Sequence, residues 1–406
     1  MLATNFSIPS TPRILLADDQ QDVLEALRLL LKGEGFATET VNSPAAVIKA
    51  LSTPREREFD LMLMDLNYTR DTTSGLEGLE LIEQVRRLDD TLPVVVMTAW
   101  GSIELAVETM REGGCDFIQK PWDNDRLLGV LRAQLERGRK LRHEKQERLA
   151  YERFQRFEFE EARLIQESLL PTRLPKIEGL EVAVTWQPMR EVSGDYFDVI
   201  KLSEGLDDGK TALCLADVEG KGLPAAMLMS NLQASVRSLA SQGLTPGEMV
   251  GRLNRTMLRN STGQKLITMF YALIEAASGQ SGQCGQGRKM SYVNAGHLPP
   301  ILVRQDGSHE RLFTGGAMLH IFADSSFETA EIDLTPGDRL LIFTDGVVEC
   351  TNSSGEDFGE DRLLQALLDH RTEDAETLLQ TVKTTVTEFS GGNFQDDMTM
   401  IALGYK

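Results

Sequence analysis

The feature that most constrains this chain is a buried strand that ends in a carboxylate and turns sharply into a helix. In Leu213–Ala226 a short apolar run ends at Asp217, and Gly220 and Gly222 precede a helical pattern. The apolar run predicts a strand, and the two glycines predict a tight turn that opens a helix. An aspartate at the mouth of a sheet, beside backbone that bends this sharply, is suited to binding a cation.

Three further segments place carboxylates next to apolar strands. They are Val192–Asp198, Leu340–Gly346 and Asp396–Ile401. A buried anion without a partner is costly, and a divalent cation bound by oxygen removes that cost. Any one of these aspartates could instead cap a helix or a turn. Four segments with the same local chemistry favour a shared metal site over four independent caps.

From about Leu164 to the end, the sequence resembles the metal-dependent PPM phosphatases, in their bacterial SpoIIE-like branch. The order and spacing of several motifs carry this resemblance. These motifs are Gly194-Asp195-Tyr196-Phe197-Asp198, Ala216-Asp217-Val218 with Gly220-Lys221-Gly222, Asn294-Ala295-Gly296-His297, Thr344-Asp345-Gly346 with Glu349, Phe358-Gly359, and Asp396-Asp397-Met398-Thr399.

The resemblance implies a site with two divalent ions, Mn²⁺ or Mg²⁺, that acidify a bridging water and neutralise phosphoryl oxygens. By the same resemblance Asp217 bridges both ions, and the Val218 carbonyl is a further ligand. Asp345 and Asp396 hold one ion, and Asp195 serves the other directly or through water. The four aspartates are therefore the catalytic residues that we expect.

Three other residues near these motifs have less defined expected roles. Asp198 and Asp397 are expected to support the metal ligands rather than bind the ions. His297 could be a general acid, although a structural histidine at a turn is the favoured interpretation. No Cys or Ser lies with a His in a motif suited to nucleophilic attack, so a covalent phosphoenzyme is not expected.

The first third of the chain alternates short apolar runs with amphipathic stretches. The apolar runs are at 13–17, 61–64, 94–97 and 116–118, and the helical patterns are near 21–34, 44–51, 77–88 and 102–113. This alternation predicts a doubly wound parallel α/β sheet, whose functional residues gather at the carboxyl ends of the strands. That edge would bring together Asp18, Asp19, Asp65, Thr98 and Lys120, a set suited to a divalent ion and a phosphoryl group.

This constellation resembles a response-regulator receiver domain with five strands, over about residues 12–125. The resemblance implies that Asp65 accepts a phosphoryl group and that Lys120 pairs with the phosphoryl oxygens. It also implies a Mg²⁺ ion held by Asp18, Asp19, Asp65 and the Asn67 carbonyl.

The resemblance makes Thr98 and Phe117 the two switch positions of the receiver. It also predicts a cis peptide at Lys120-Pro121, which would aim the lysine inward. The loop Tyr68–Ser74 is longer than the turn that usually follows the acceptor aspartate. A receiver fold that no longer takes phosphate is the alternative, but neither the acceptor, the lysine nor the acid pair is lost.

A charged stretch, 123–170, connects the two halves and contains no proline before Pro171. Its N-terminal part has a leucine stripe from Leu127 to Leu135 that could complete the last receiver helix. Apolar residues return at Phe154, Phe157 and Leu164. We predict a long helical connector with coiled-coil tendency, which leaves pairing into a homodimer open.

Residues 171–406 read as a succession of strands interrupted by two helical pairs. This pattern predicts an α+β sandwich, in which a β-sandwich is flanked by helices. Residues 1–12 are expected to form a flexible arm, and Ser278–Gly287 a flexible hairpin loop. The predicted strands are 180–187, 196–202, 211–217, 267–274, 289–293, 300–304, 327–333, 339–344 and 398–403, and the predicted helices are 224–241, 246–260, 360–370 and 375–389.

The composition argues against several classes of protein. The chain has 62 acidic and 42 basic residues, a formal charge of −20, which disfavours nucleic acid or an anionic membrane as partner. Cysteines 115, 214, 284 and 350 show no metal-type spacing, which suits a reducing compartment. No apolar run reaches membrane-spanning length, and the N-terminus has no secretory pattern. We therefore expect a cytoplasmic protein.

Together the two resemblances imply a two-component response regulator whose phosphorylation controls a metal-dependent Ser/Thr protein phosphatase. The receiver implies a cognate histidine kinase as partner. The SpoIIE-like branch implies, as substrate, a phosphorylated anti-sigma-factor antagonist of the STAS fold in a partner-switching pathway.

Two alternatives remain open at this point. The first is a catalytically inactive, phosphatase-like binding module gated by the receiver, against which the intact Asp217, Asp345 and Asp396 argue. The second is a DNA-binding regulator, which would need a basic helix-turn-helix that the acidic C-terminal half does not offer.

Overall fold

The structure is a computed structural model that describes residues 11–54, 58–68, 76–99, 110–202, 209–260, 265–275 and 287–406. The chain divides into two compact units, Met1–Phe154 and Gln155–Lys406. The expected arm, the loop after Tyr68, most of the helix predicted near 102–113 and the loop around Cys284 lie outside the described residues. Within the described ranges, no helix is both long and apolar enough to cross a membrane.

The N-terminal unit is built on a five-stranded parallel sheet in the order β2-β1-β3-β4-β5. This confirms the predicted doubly wound sheet. Its elements are β1 Arg13–Ala17, α1 Gln21–Gly33, β2 Ala37–Val41, α2 Pro44–Ser52, β3 Leu61–Asp65, α3 Leu76–Leu88, β4 Val94–Thr98 and β5 Asp116–Gln119.

The central strands of this sheet are buried on both faces because alternate side chains enter two separate cores. In β1, Leu15 and Ala17 pack into the core that contains α2 and α3, whereas Ile14 and Leu16 pack against α1. Strand β2 lies at the edge and its residues are half-buried or exposed. This explains why no apolar run marks β2 in the sequence.

The connector is a single helix, α4, over Asn124–Leu169. Leu127, Leu131 and Leu135 are buried in the core of the N-terminal unit, as the leucine stripe predicts. Further along the helix, the Arg142 guanidinium donates to the carbonyl oxygens of Phe59 at 2.9 Å and Asp60 at 3.0 Å. The first part of α4 is therefore an integral element of this unit.

The C-terminal unit contains two sheets, which confirms the predicted sandwich. One has the order β13-β10-β9-β8-β7, with β14 also paired to β10, and the other has the order β12-β11-β15-β16-β6. The strands are β6 Leu180–Gln187, β7 Tyr196–Lys201, β8 Thr211–Val218, β9 Ile267–Ile274, β10 Arg288–Ala295, β11 Ile301–Val303, β12 His309–Arg311, β13 Gly315–Gly316, β14 Ala330–Leu334, β15 Arg339–Phe343 and β16 Met398–Tyr405.

Helices cover this sandwich and divide its core in two. In β15, Leu340 and Ile342 belong to the core that contains both sheets and the first helical pair, whereas Leu341 and Phe343 face the second pair. The short helix α7 was not predicted. The helices are α5 Leu223–Ala240, α6 Pro246–Asn260, α7 Asp345–Val348, α8 Gly359–Asp369 and α9 Ala375–Ser390.

Candidate functional site

The four aspartates that the sequence marks as catalytic lie at the ends of strands from both sheets of the sandwich. Asp217 is the penultimate residue of β8, and Asp195 directly precedes its neighbour β7. Asp345 follows β15 as the first residue of α7, and Asp396 lies two residues before β16, which pairs with β15. The fold therefore brings segments far apart in the sequence to one region.

These carboxylates repel one another electrostatically. Burial raises the pKa of Asp217 to about 7, and repulsion from Asp345 and Asp396 contributes further. Burial, followed by repulsion from Asp396 and Glu349, raises the pKa of Asp345 to about 6. Asp195 is buried, and burial together with the Asp217 charge raises its pKa well above the usual range. The cluster thus has an excess of negative charge.

Two hydroxyl groups fix the orientation of Asp195. Thr344 Oγ1 donates to Asp195 Oδ2 at 3.0 Å, and Thr399 Oγ1 donates to the same oxygen at 2.5 Å. Both threonines are buried. They come from the motifs that supply Asp345 and Asp396, so these motifs provide supporting hydroxyls as well as carboxylates.

Asp397, directly before β16, binds the segment that precedes Asp195 through hydrogen bonds. Its carboxylate accepts hydrogen bonds from the Met189 backbone N–H at 2.7 Å, from Ser193 Oγ at 2.8 Å and from the Gly194 N–H at 2.8 Å. It also contributes to the repulsion that raises the pKa of Asp217. The position of Asp397 suits the predicted supporting role.

Asp198 belongs to a different network. Its buried carboxylate accepts hydrogen bonds from the Tyr196 hydroxyl at 2.9 Å and from Arg237 Nε at 2.8 Å. The Val199 backbone N–H donates to it as well, at 2.9 Å. These contacts anchor β7 to α5, and the carboxylate cluster is not among them.

Two glycines of the motifs allow backbone to approach the cluster closely. A Cβ atom built on Gly194 would lie 2.7 Å from the carbonyl oxygen of Val218, a predicted metal ligand. A Cβ on Gly346 would overlap the carbonyl group of Asp397. Any side chain at these two positions would therefore displace backbone that carries site residues.

The receiver residues also gather where the sheet of the N-terminal unit predicts them. Ligand oxygens of Asp18, Asp19 and Asp65 all lie within 4.8 Å of one another. Lys120 Nζ is 2.7 Å from Asp18 Oδ2 and 3.2 Å from Asp65 Oδ1. Burial raises the pKa of Asp65 to about 6, although the charge of Lys120 opposes this shift.

The remaining receiver positions surround this acidic cluster. Thr98 is buried at the end of β4, whereas the Phe117 side chain is 37% exposed on β5. The Lys120-Pro121 peptide is cis. Asn67 Oδ1 is buried and has no hydrogen-bond partner within the described part of the chain. The three clustered carboxylates fit a site for a hard cation, and the expected ligand from Asn67 is its backbone carbonyl rather than this side-chain oxygen.

Comparison with known proteins finds both domains. The family model "Stage II sporulation protein E (SpoIIE)" matches residues 207–406, and the model "Response regulator receiver domain" matches residues 14–132. The phosphoserine phosphatase RsbU of Bacillus subtilis is 31% identical over 251 residues, which cover 61% of this chain and 70% of RsbU. The chain belongs to the SpoIIE-like PPM phosphatases. It is a PPM-type protein serine/threonine phosphatase that carries a response-regulator receiver domain.

Two other similarities concern the separate halves of this PPM phosphatase. The SiaA-PP2C domain of Pseudomonas aeruginosa aligns with a TM-score of 0.55 over 63% of this chain and 99% of that domain. Their sequence identity is 18%, so this similarity shows the fold alone. The transcriptional regulatory protein ZraR of Escherichia coli O157:H7 is 34% identical over 122 residues, which are 30% of this chain and 26% of ZraR.

PPM phosphatases depend on metal ions, and the carboxylate cluster of this one fits that dependence. Among the described residues, the receiver acids are the one group of three whose ligand atoms all lie within 4.8 Å. The phosphatase carboxylates are spaced more widely. Their burial and mutual repulsion, which raise the pKa values of Asp217 and Asp345, are what a bound cation would relieve.

Sequence reasoning did not assign a role to Lys221 of the PPM domain. Its Nζ lies 3.0 Å from Asp396 Oδ2 and also donates to the backbone carbonyl of Gln395. Its charge opposes the rise in the pKa of Asp345. The signal in the sequence was a lysine between Gly220 and Gly222, directly after the turn that follows Asp217.

His297 of the PPM domain is buried, and its Nδ1 lies 2.9 Å from Thr268 Oγ1. Its backbone N–H donates to Asn294 Oδ1 at 2.8 Å within the same motif. Burial lowers the pKa of His297 to about 4, so the imidazole is neutral at pH 7. A neutral histidine bound into its own turn favours the structural interpretation over general acid catalysis.

Proposed function

We propose that phosphorylation of Asp65 controls hydrolysis of a phosphoserine or phosphothreonine on an anti-sigma-factor antagonist of the STAS fold. A receiver joined to an RsbU-like PPM phosphatase fits a partner-switching regulator. The observation that carries the proposal is the presence, in one chain, of an acidic receiver cluster with Lys120 and a buried carboxylate cluster in the PPM domain.

In this proposal the PPM domain holds two Mn²⁺ or Mg²⁺ ions. Asp217 would serve both ions, and the Val218 carbonyl would be a further ligand. Asp345 and Asp396 would hold one ion, and Asp195 would serve the other directly or through water. When bound, such ions acidify a water and neutralise phosphoryl oxygens. The Asp195 carboxylate would be held in a single orientation, because the Thr344 and Thr399 hydroxyls donate to the same carboxylate oxygen.

In the receiver, Asp18, Asp19, Asp65 and the Asn67 carbonyl would hold Mg²⁺. Asp65 would attack the phosphoryl group as a carboxylate, and the Lys120 ammonium, already 3.2 Å from Asp65 Oδ1, would pair with the phosphoryl oxygens. Thr98 and Phe117 would change conformation when Asp65 is phosphorylated. The Phe117 side chain, now 37% exposed, would change its exposure. The phosphoryl group would come from a cognate histidine kinase.

The connector supports a further part of this proposal, pairing of two copies. Phe154, Phe157, Leu164 and Ile165 on α4 are all exposed, between 58% and 63%. Exposed aromatic and branched residues on a long helix are commonly covered by a second helix. We propose a homodimer through this face, which sedimentation of the full chain with and without acetyl phosphate would test.

The test of the proposed function is phosphate release by the full chain with Mn²⁺. The substrates are a phosphorylated STAS antagonist, a matched phosphoserine peptide and p-nitrophenyl phosphate, each with and without acetyl phosphate. We expect turnover of the antagonist to respond to acetyl phosphate. Antagonist turnover no better than that of the peptide would contradict the proposed substrate, and an unchanged rate with acetyl phosphate would contradict receiver control.

Asp217→Asn is the variant that tests the site. A neutral amide in place of the shared carboxylate weakens both ion positions at once, so kcat/KM should fall at least about a hundredfold on all three substrates. Circular dichroism should show an unchanged fold. Near-normal Mn²⁺-dependent turnover would overturn the assignment of the site.

A further inference from the structure

The last turns of α4 contact the loop that carries Asp195 through one buried side chain, Gln166. This residue is 3% exposed, and the Ser193 residue that it faces is fully buried. Gln166 Nε2 donates to the Ser193 carbonyl oxygen at 2.8 Å, and the Ser193 N–H donates to Gln166 Oε1 at 2.9 Å. Both backbone polar groups of Ser193 are therefore satisfied by one amide.

Ser193, held in place by Gln166, forms hydrogen bonds to two aspartates. Its hydroxyl donates to Asp397 Oδ2 at 2.8 Å and accepts a hydrogen bond from the Asp195 N–H at 3.0 Å. The next residue, Gly194, donates its N–H to Asp397 at 2.8 Å and packs against the Val218 carbonyl. The backbone that leads into Asp195 is thus fixed by Gln166 on one side and by Asp397 on the other.

We propose that Gln166 is a positioning residue for the phosphatase metal site, acting through Ser193 on the orientation of Asp195. This inference rests on the proposed role of Asp195 at the metal site. A primary amide suits the position because it offers a donor and an acceptor side by side, which neither a carboxylate nor an ammonium does. Without it, the buried N–H and C=O of Ser193 lose their partners, and the loop must rearrange to satisfy them.

The consequence is a change in metal affinity rather than in substrate recognition. A loop that is ordered before the ion arrives binds it more tightly than a loop that must be ordered by the ion. Loss of residues that orient metal ligands typically weakens metal binding by about ten- to a hundredfold. Gln166→Leu should weaken Mn²⁺ binding within this range while kcat recovers at saturating Mn²⁺.

The experiment measures Mn²⁺ binding to the full chain by electron paramagnetic resonance of the free ion, together with hydrogen exchange of the metal-free protein. The binding lost in Asp217→Asn identifies the phosphatase ions and separates them from those at the receiver's acidic cluster. In Gln166→Leu we expect that same portion to shift to higher Mn²⁺ concentration. The backbone amides of 189–196 should also exchange faster than in the wild-type protein.

Gln233→Leu is the matched control. Gln233 Nε2 donates to the carbonyl oxygen of Leu169 at 3.0 Å, so this variant removes another glutamine contact to the end of α4 but none to Ser193. We expect it to leave Mn²⁺ binding and exchange of 189–196 unchanged. If Gln166→Leu does not fold, Gln166→Glu replaces it. This variant keeps the acceptor for the Ser193 N–H but places a carboxylate against the Ser193 carbonyl. Weaker Mn²⁺ binding and faster exchange of 189–196 are again expected.

Two results would overturn the inference. One is wild-type Mn²⁺ binding in a folded Gln166 variant, and the other is an equal loss in Gln233→Leu, which would assign the effect to helix docking in general. Full Mn²⁺ binding by Asp217→Asn is a separate outcome. It would refute the site assignment itself, on which the inference depends.

Discussion

Burial and mutual repulsion leave the Asp217 carboxyl with a pKa of about 7 and the Asp345 carboxyl with a pKa of about 6. At pH 6 most Asp217 carboxyls and about half of the Asp345 carboxyls are therefore protonated in the metal-free protein. A cation must displace these protons, so Mn²⁺ affinity falls as the pH falls. We expect binding to weaken at least about tenfold between pH 8 and pH 6.

Calorimetric titrations of Mn²⁺ in buffers with different ionisation enthalpies would check this prediction. They should show more proton release at pH 6 than at pH 8, because most Asp217 and Asp345 carboxyls are already ionised at pH 8. The receiver carboxyl Asp65, with a pKa of about 6, also contributes. Asp65→Asn serves as the background for the titration. Equal affinity at both pH values in that background would contradict the prediction.

The ion pair between Asp198 and Arg237 leads to a prediction about folding stability alone, because it lies outside the carboxylate cluster. Arg237→Met removes the guanidinium that binds the buried Asp198 carboxylate and leaves the Tyr196 hydroxyl and the Val199 N–H as its partners. Hydrogen bonds to charged groups contribute about 1.5–3 kcal/mol, and Arg237 is half exposed, so we expect a loss near 2 kcal/mol.

Urea unfolding of the Arg237→Met variant, followed on the phosphatase transition, would measure this loss. Mn²⁺ affinity should match that of the wild-type protein, since Asp198 lies outside the carboxylate cluster. A large drop in Mn²⁺ affinity without loss of stability would instead place Asp198 in support of the metal site.

The identity of the acidic residues could be predicted from the sequence because each lies at or beside the end of a recognisable apolar strand. Their supporting contacts could not. Asp397 and Ser193 are 204 residues apart, and Asp198 and Arg237 are 39 apart, so no local pattern links them. Lys221 lies inside a motif and Gln166 on the connector, but their contacts to Asp396 and Ser193 are tertiary and leave no signal in the sequence.

Among the elements, strands with a continuous apolar run were predictable, whereas the exposed β2 and the short β12 and β13 were not. Strands such as β3 and β4 are buried along their whole length and appear as unbroken apolar runs. Strand β2 at a sheet edge, and the short β12 and β13, bury too little surface to leave such a signal. The helix α7 has four residues, too few for a periodic pattern to appear.

The connector helix offers a test of how the receiver acts on the phosphatase. Gly138 packs against Pro93, and even a Cβ there would overlap the proline ring, so an insertion near Gly138 would disturb the receiver core. After Glu152 the side chains on both sides are exposed. Two residues inserted there would rotate the two parts of α4 by about 200° relative to each other.

We expect the insertion to preserve basal phosphatase activity, because Gln166 and its contacts lie beyond it. The response to acetyl phosphate should be lost if rotation or pairing of the helix transmits the signal. Inserting seven residues, close to two full turns, is the matched control and should largely restore the response. A response that survives the two-residue insertion would show that the connector acts as a tether.

At the scale of the whole molecule, the two acidic clusters share no residue. Asp65→Ala should therefore abolish labelling by acetyl phosphate, because the acceptor carboxylate is gone. The same variant should keep Mn²⁺ binding at the phosphatase site and its basal turnover of p-nitrophenyl phosphate. Labelling that persists at the wild-type level would show that the phosphoryl group is accepted elsewhere in the chain.

The crowding at Gly194 and Gly346 bears on how such a protein can lose its activity during evolution. A descendant could keep every aspartate and still be inactive, because one methyl group at Gly346 would push aside the carbonyl of Asp397. Surveys that look for missing acids would count that descendant as an enzyme. The two glycines are therefore the more sensitive marker of a degenerate copy, and they deserve the same weight as the aspartates when genomes are searched for working members.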